Sequence, residues 1–98
     1  MAHRLIWSPA ARQDLRDLLA YIAEDDPHAA QQFVRGVFRA VHGLSELPES
    51  GRIVPEFEEP LLREVIRRPC RVVYRIDQHE TLIEIVRVWH AARGIPEI

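Results

Sequence analysis

The clearest pattern along the chain is a pair of apolar stripes with helical spacing. In the first stripe, apolar residues stand at i, i+3, i+4 and i+7: Leu15, Leu18, Leu19 and Ile22. That spacing places them on one face of an amphipathic helix. Ser8 is a favourable N-cap and Pro9 a favourable first helical residue. The first helix is therefore predicted to begin there and to end near Asp25.

The second stripe follows after a short link and continues for more turns. Its members keep helical spacing throughout: Ala30, Phe33, Val34, Val37, Phe38, Val41 and Leu44. Asp26 and Pro27 repeat the start signal of the first helix, and the second helix is expected to stop before Pro48. Because the link is short, we predict an antiparallel helical hairpin.

Strand-like segments flank this hairpin. A short apolar run at 3–7 predicts one strand before it, and runs at about 61–67, 71–76 and 81–90 predict three strands after it. The stretch 48–60 contains a glycine and three prolines and is predicted to be a loop. The order β-α-α-β-β-β predicts an α+β fold, with the helical hairpin on one face of a small, mostly antiparallel sheet. Residues 1–98 are expected to form a single domain.

Period-two alternation assigns the side chains of the last two strands to faces. With a four-residue hairpin loop after Ile76, that residue is predicted to pair with Thr81, and Arg71 with Val86. One face should then carry the following set: Arg71, Arg75, Leu82, Glu84, Val86, Val88 and His90. The opposite face, with Tyr74, is expected to meet the helices together with Ile83 and Ile85. The face of Arg71 would be left open for a partner.

Composition narrows the classes of function. All thirteen Lys/Arg cations are arginine, whose planar fork of donors suits phosphate and carboxylate. The formal net charge is −2, which gives no overall attraction to nucleic acid. However, five acids and one arginine at 45–60 precede five arginines and one acid at 61–76. The arginine-rich last third therefore predicts a surface that meets an acidic partner.

Two further features bear on compartment and redox chemistry. The single cysteine, Cys70, excludes an intrachain disulfide and is expected to be a small buried thiol. The apolar run near the N-terminus is too short for a signal peptide or a membrane span. We therefore expect a cytoplasmic protein without a membrane partner.

Few residues are candidates for chemistry. The Walker-type, G-x-S-x-G, H-E-x-x-H and G-x-G-x-x-G motifs are absent from the sequence, and no two histidines stand at metal-ligand spacing. Neither a metal nor another cofactor is expected. What remains is Glu56, Arg71 and His90, which could act as base, cation and acid in RNA cleavage by the 2′-hydroxyl. Spacing alone favours a plainer interpretation, in which Glu56 forms an ion pair and His90 ends a strand.

Several segments carry a family resemblance. They are Trp7-Ser8-Pro9-Ala10-Ala11 with Asp14-Leu15 and Tyr21-Ile22, Asp26-Pro27 with Phe33, Leu47-Pro48 through Gly51-Arg52 and Pro55-Glu56, Leu62-Arg63-Glu64 with Arg71-Val72-Val73-Tyr74-Arg75, and Val88-Trp89-His90 with Arg93. Together they resemble the RelE/ParE superfamily of bacterial toxins from type II toxin–antitoxin modules, over nearly the whole chain. The predicted order of elements agrees with the fold of that family.

The resemblance implies a toxin that arrests growth through one of two targets. ParE-like members inhibit DNA gyrase and are not nucleases, whereas RelE-like members cut mRNA, several of them on the ribosome. The short tail at 86–96 and the strand with Arg63-Glu64 look more ParE-like, which favours gyrase inhibition. A degenerate module that only binds its antitoxin is a third hypothesis.

A nuclease subtype within the superfamily keeps the enzyme hypothesis open. YoeB-like toxins use a glutamate, an arginine and a histidine, and Glu56, Arg71 and His90 match those positions. Where that subtype carries an aromatic residue after the histidine, this chain has Ala91.

Either branch implies a cognate antitoxin that forms a hetero-oligomer with the toxin. The resemblance implies a small DNA-binding protein whose flexible, partly acidic segment folds as it binds. The residues expected to meet the antitoxin or the target are Arg52, Arg63, Arg67, Arg75, Trp89 and Arg93.

Overall fold

Two helices pack on one face of a five-stranded sheet in the computed structural model, which describes residues 2–98. In chain order the elements are β1 (Arg4–Trp7), α1 (Pro9–Asp25), α2 (Pro27–Leu44), β2 (Arg52–Ile53), β3 (Leu62–Arg67), β4 (Cys70–Asp77), β5 (Leu82–His90) and a 3-10 turn (Ala91–Arg93). The strands lie in the order β1-β5-β4-β3-β2; β1 is parallel to β5 and the other pairs are antiparallel. The predicted α+β fold is confirmed, and the two-residue β2 is an addition within the predicted loop.

Both helices begin at the positions that were predicted from their N-capping residues. Ser8 Oγ accepts the N–H of Ala11 at 3.0 Å. Asp26 Oδ1 accepts the N–H groups of His28 and Ala29, each at 3.1 Å. Each cap satisfies donors that the first helical turn leaves without a partner. Within the described part of the chain, no helix is long and apolar enough to cross a membrane.

The main core lies between the helices and the sheet. Its buried members are Ala11, Leu15, Phe33, Val37, Val41, Leu44, Cys70, Val72, Tyr74, Ile76, Ile83, Ile85 and Val88. Burial of Cys70 and of Tyr74 agrees with the sequence. The Tyr74 hydroxyl donates to the carbonyl of Pro48 at 2.7 Å and accepts from the N–H of Gly51 at 3.0 Å. These two bonds satisfy the polar end of a buried ring and fix the start of the loop that follows α2.

The other face of the sheet is less open than predicted, because the loop between β2 and β3 packs on it. Val54 from this loop joins three strand residues in a second cluster: Leu62, Val73 and Val86. Phe57 packs against the same cluster from its edge. This anchoring matters for function, since Glu56 lies between the two apolar loop residues.

The hairpin of β4 and β5 starts in a register two residues away from the predicted one. Its turn begins and ends one residue later than expected, and Ile76 lies opposite Ile83 rather than Thr81. An even displacement preserves the faces, because alternation has a period of two. The assignment of Tyr74 and Ile85 to the helix-facing side is therefore confirmed.

A β-bulge at Val86 makes the rest of the face prediction wrong. Beyond it, Arg71 lies opposite Trp89 instead of Val86. One extra residue reverses the alternation of every later side chain in β5. Val88 and His90 were expected beside Arg71, and both instead fall in the alternation of the helix-facing side.

Side chains of α1 and of its N-cap residue hold this bulged part of β5, beyond the point where β1 ends. Ser8 Oγ donates to the carbonyl of Val86 at 2.9 Å. Asp14 Oδ2 accepts the N–H of Val88 at 3.0 Å, and its two oxygens each accept from the guanidinium of Arg87 at 2.8 Å. These bonds satisfy strand groups that β1 no longer pairs, and they fix the position of the bulge.

Candidate functional site

A row of alternating charges crosses the helix-free face of the sheet. Arg71 of β4 lies at its centre: Nε donates to Glu64 Oε1 at 2.6 Å, and Nη1 and Nη2 donate to the two oxygens of Glu56 at 2.9 and 2.6 Å. Arg52 Nε donates to the other oxygen of Glu64 at 2.7 Å. The order is Glu56–Arg71–Glu64–Arg52, and we call these four residues the ion-pair row.

Strand pairing explains why these residues meet. Glu64 of β3 lies directly opposite Arg52 of β2 and opposite Val73 of β4. Arg71 is two positions from Val73 on the same strand, so it is a diagonal neighbour of Glu64 on one face of the sheet. Glu56 reaches Arg71 from the loop that the second apolar cluster anchors.

The inner and outer parts of the ion-pair row differ in burial and in charge state. The Glu64 and Arg71 side chains are 0% and 10% exposed, against 29% for Glu56 and 59% for Arg52. Hydrogen bonds from the Arg71 guanidinium hold the pKa of Glu56 below its usual value. The bonds to Glu56, and then those to Glu64, raise the pKa of Arg71. Arg71 is therefore a fixed cation, and Glu56 is a weaker base than a free glutamate.

Arg71 has little hydrogen-bonding capacity left. A guanidinium has five N–H groups. Three of those on Arg71 bind the two glutamates, and a fourth, on Nη1, makes a longer bond of 3.4 Å to the carbonyl of Gly94. One N–H group remains for any further ligand while Glu56 is in place.

A cleft of about 610 Å³ lies beside the ion-pair row. The three residues predicted for catalysis, Glu56, Arg71 and His90, all line it. Arg52 and Arg68 line it as well and add positive charge. The structure thus brings the three candidates to one cleft, although they come from a loop and two strands.

His90 reaches this cleft from the end of β5. Its Nδ1 accepts the N–H of Ala92 at 3.1 Å and caps the 3-10 turn. Nε2 is therefore the ring atom available to a ligand. Within residues 2–98 the ring is hydrogen-bonded to neither Glu56 nor Arg71. The histidine is a neighbour of the ion-pair row and not a member of it.

Trp89 is a packing residue for the C-terminal tail. It is 2% exposed, and two guanidiniums lie over its ring, with Cζ of Arg93 and of Arg87 at 3.9 and 4.8 Å from the ring centroid. Its Nε1 donates to the carbonyl of Gly94 at 3.1 Å. Cation–π attraction and this bond hold the tail against the sheet. Of the two residues predicted for partner contact here, Arg93 is exposed and Trp89 is buried.

Arg63 and Arg67 lie away from the cleft and have local structural contacts. Arg63 donates from Nε to the carbonyl of Pro60 at 2.9 Å and from Nη1 to the carbonyl of Gly51 at 3.0 Å. It therefore braces the loop between β2 and β3. The guanidinium of Arg67 lies over α2, in the space that a Cβ on Gly36 would occupy.

Arg75 is more available than either of these. It shares the face of Arg71, four residues along β4, and its Nη1 is 3.9 Å from Oε1 of Glu84. The two side chains are 46% and 35% exposed. A pair of this kind contributes little to stability, so the Arg75 cation is free to exchange partners.

Sequence reasoning did not single out Glu64 as a site residue, although it holds both Arg52 and Arg71. A usable signal was present. Glu64 lies two residues after Leu62, so the two side chains share one face of β3, and that face is buried at this end of the strand. A charged residue at such a position needs partners of opposite charge. Arginines on the two neighbouring strands, Arg52 of β2 and Arg71 of β4, are those partners.

Comparison with known proteins identifies the family. The family model described as the ParE toxin of a type II toxin–antitoxin system, parDE, matches residues 5–95. The chain belongs to the ParE toxin family. A predicted toxin of Sinorhizobium fredii, Y4kP, is 34% identical over 97 residues, which cover 97% of this chain and 95% of that relative. The predicted membership of the RelE/ParE superfamily is confirmed, and the chain is the toxin of a type II toxin–antitoxin system.

Solved structures from both branches of the superfamily share the fold of this ParE-family toxin. The chromosomal ParDE system from P. aeruginosa gives a TM-score of 0.72 at 23% identity and covers 91% of this chain and 96% of that one. The RelBE2 toxin–antitoxin complex from Mycobacterium tuberculosis gives 0.60 at 25% identity, with 92% and 99% covered. Because both branches have this fold, the target must be inferred from the chemistry of the site.

Proposed function

We propose that this ParE-family toxin arrests growth by inhibiting DNA gyrase and does not cut RNA. The observation that supports this is the bidentate pairing of Glu56 with Arg71. RNA cleavage would need Glu56 as a base and Arg71 as a cation that stabilises the phosphorane. In this structure the two side chains are instead bound to each other. A protein that inhibits by binding needs neither group free.

A cognate antitoxin is the proposed neutralising partner. The M. tuberculosis relative of similar fold is described as a complex of a toxin with its antitoxin. On this chain, Arg68 lines the cleft together with Ile66 and Ile95, which are 49% and 63% exposed. Arg93, which is also exposed, lies two residues before Ile95 in the chain. Such a surface suits a partly acidic segment that folds as it binds.

The second candidate function is a ribosome-dependent mRNA interferase, and the shared cleft favours it. Glu56 would take the proton of the 2′-hydroxyl, His90 would protonate the leaving oxygen, and Arg71 would stabilise the phosphorane. All three line the cleft. This mechanism requires Glu56 to leave Arg71 first, because the pair lowers the basicity of the glutamate.

Two assays on the purified toxin separate these functions. One follows DNA supercoiling by gyrase, and the other follows mRNA cleavage on programmed ribosomes. We expect inhibited supercoiling with intact mRNA. Cleaved mRNA with normal supercoiling would overturn the proposal in favour of the interferase. Normal results in both assays, with harmless overexpression, would favour the module that only binds its antitoxin.

Substitution of His90 adds a test within the cell. If the toxin inhibits gyrase, His90→Ala should arrest growth as the unchanged toxin does. If the toxin is an enzyme, loss of a general acid should slow cleavage by about 10²–10⁴-fold and relieve the arrest. His79→Ala, in the exposed turn between β4 and β5, is the matched control and should have no effect in either case.

A further inference from the structure

Glu56 binds Arg71 in the way that a separate ligand would. Nε of Arg71 is held by Glu64, whose side chain is fully buried. The position of the guanidinium is thus set from the inner side, independently of Glu56. On the outer side, Nη1 and Nη2 each donate to one oxygen of Glu56, which is the bidentate geometry that recognises a carboxylate. The outer edge of Arg71 is a carboxylate site filled from the same chain.

The loop position of Glu56 makes it replaceable. Its side chain is 29% exposed, three times the fraction of Arg71 at 10%. With Glu56 in place, the charges of the two carboxylates and the two guanidiniums of the ion-pair row sum to zero. When Glu56 leaves, the row carries one net positive charge, and Arg68 on the cleft wall adds another. A second anion is therefore attracted to the place that Glu56 vacates.

The cleft wall favours an acidic protein segment over nucleic acid. Ile66 and Ile95, which are 49% and 63% exposed, line it beside the arginines. Among residues 2–98, its lining includes no phenylalanine, tyrosine or tryptophan, and the imidazole of His90 is the one aromatic ring there on which a base could stack. Apolar side chains next to cations match a segment in which acidic and aliphatic residues alternate.

We propose that an acidic, aliphatic segment of a partner protein binds in this cleft by carboxylate exchange. An Asp or Glu of the partner replaces Glu56 on Nη1 and Nη2 of Arg71, while Glu64 keeps its bond to Nε. The number of ion pairs at Arg71 is unchanged, so the gain comes from apolar contacts with Ile66 and Ile95 and from a further acid near Arg68. The inference rests on the proposed function for the identity of the partner, the antitoxin, and does not depend on the target.

A peptide titration tests the exchange. The probes are a blocked hexapeptide of alternating Glu and Leu, the same peptide with Gln for Glu, and an RNA hexanucleotide. Binding to the ¹⁵N-labelled full chain is followed through the N–H signals of Arg71 Nε and Trp89 Nε1. The compared proteins are the unchanged toxin, Glu56→Gln and, as the matched control, Glu59→Gln, which neutralises another exposed glutamate of the same loop.

Removing the internal carboxylate should strengthen binding of the acidic peptide. We expect Glu56→Gln to bind it about ten-fold more tightly than the unchanged toxin, as the loss of one competing charge-assisted contact predicts. Glu59→Gln should bind the acidic peptide with the same affinity as the unchanged toxin. The Gln peptide should bind Glu56→Gln no more tightly than it binds the unchanged toxin. Equal affinity of Glu56→Gln and the unchanged toxin would overturn the exchange. An equal or larger gain for the RNA would overturn the assignment to a protein segment.

A second variant guards against loss of folding in the first. Glu56→Asp keeps the charge but shortens the side chain by one methylene, so it should hold Arg71 less well and bind the peptide more tightly than the unchanged toxin. No gain in Glu56→Asp would also overturn the exchange. Neither readout involves gyrase or mRNA cleavage, so failure of the exchange leaves the proposed target standing, and failure of the gyrase assay leaves the exchange standing.

Discussion

Glu64 and Arg71 form the most buried of the five ion pairs found in residues 2–98. Glu64 Oε1 and Arg71 Nε are 2.6 Å apart, and the side chains are 0% and 10% exposed. Removing two charges from water costs several kcal/mol for each, and such a pair is maintained only when its other polar atoms also find partners. Arg52 and Glu56 supply those partners. Loss of any inner member would leave a buried charge without compensation.

Replacing Glu64 by glutamine is expected to lower the free energy of unfolding by about 3–5 kcal/mol, because Arg71 loses its buried counter-charge. Urea denaturation followed by tryptophan fluorescence would measure the change. The control is Glu84→Gln, whose exposed pair with Arg75 spans 3.9 Å and should contribute less than about 1 kcal/mol. Similar losses in the two variants would contradict a central role for Glu64.

Ser8 has two functions at the junction of β1 and α1, and its removal should affect both. Ser8→Ala deletes the cap of α1 and leaves the carbonyl of Val86 without its donor. We expect a loss of about 1–3 kcal/mol in stability. Thermal unfolding would show it, with Ser50→Ala in the exposed part of the loop as the control. An unchanged melting temperature in Ser8→Ala would argue against the bulge contact.

Gly51 lies where a side chain has no room. An ideal Cβ there would stand 2.6 Å from the backbone oxygen of Glu64 and 2.6 Å from the hydroxyl of Tyr74. Because both neighbours are rigid, Gly51→Ala should destabilise the fold by about 1–3 kcal/mol. Gly43 of α2 has nothing within 4 Å of such a Cβ, so Gly43→Ala should be neutral or stabilise by up to about 1 kcal/mol. The two variants should thus differ in sign or clearly in size when compared by chemical denaturation.

The ion pair of Glu56 predicts a specific acid dependence of stability. Hydrogen bonds from Arg71 lower the pKa of Glu56 in the folded state, and an unfolded glutamate titrates near pH 4.3. The stabilisation is therefore fully present above that pH and is lost as the pH falls through the lower folded value. Melting curves from neutral pH to about pH 3 should show a steeper acid loss for the unchanged toxin than for Glu56→Gln. Glu59→Gln should keep the steeper slope; parallel curves for all three proteins would rule out the ion pair as the cause.

The helices could be predicted from the sequence because their determinants are local. The caps Ser8 and Asp26 lie within three residues of the N–H groups they bind. The face of β5 beyond Val86 could not be predicted in the same way. Its bulge is held by Ser8 and Asp14 at sequence separations of 78 and 74 residues. The alternation of apolar and polar residues along a single strand gives no information about such contacts.

The candidate site was predictable in part for a similar reason. Glu56, Arg71 and His90 were selected for their chemistry, and all three line one cleft. Their mutual contacts depend on pairing between strands. Arg52 meets Glu64 through β2, which has only two residues, too few for any periodic signal. The pairing that ties Arg71 to Glu56 was anticipated only as a generic ion pair of the glutamate with a nearby arginine.

The bulge in β5 also means that this strand contains one residue more than its partner requires. Val86 and Arg87 are consecutive and both lie on the side of Val73: one fills an apolar cluster and the other binds Asp14. Deleting one residue of β5 at this point would remove the bulge and restore regular pairing with β4. Every later side chain of β5 would stay on its present face. The stretch of β4 from Cys70 to Val73 contains no extra residue. A deletion there would therefore move the side chains that precede it, including that of Arg71, to the opposite face of the sheet. Of these two paired strands, β5 is thus the one that could change in length by one residue without moving its later side chains to the other face, and β4 is the one that could not.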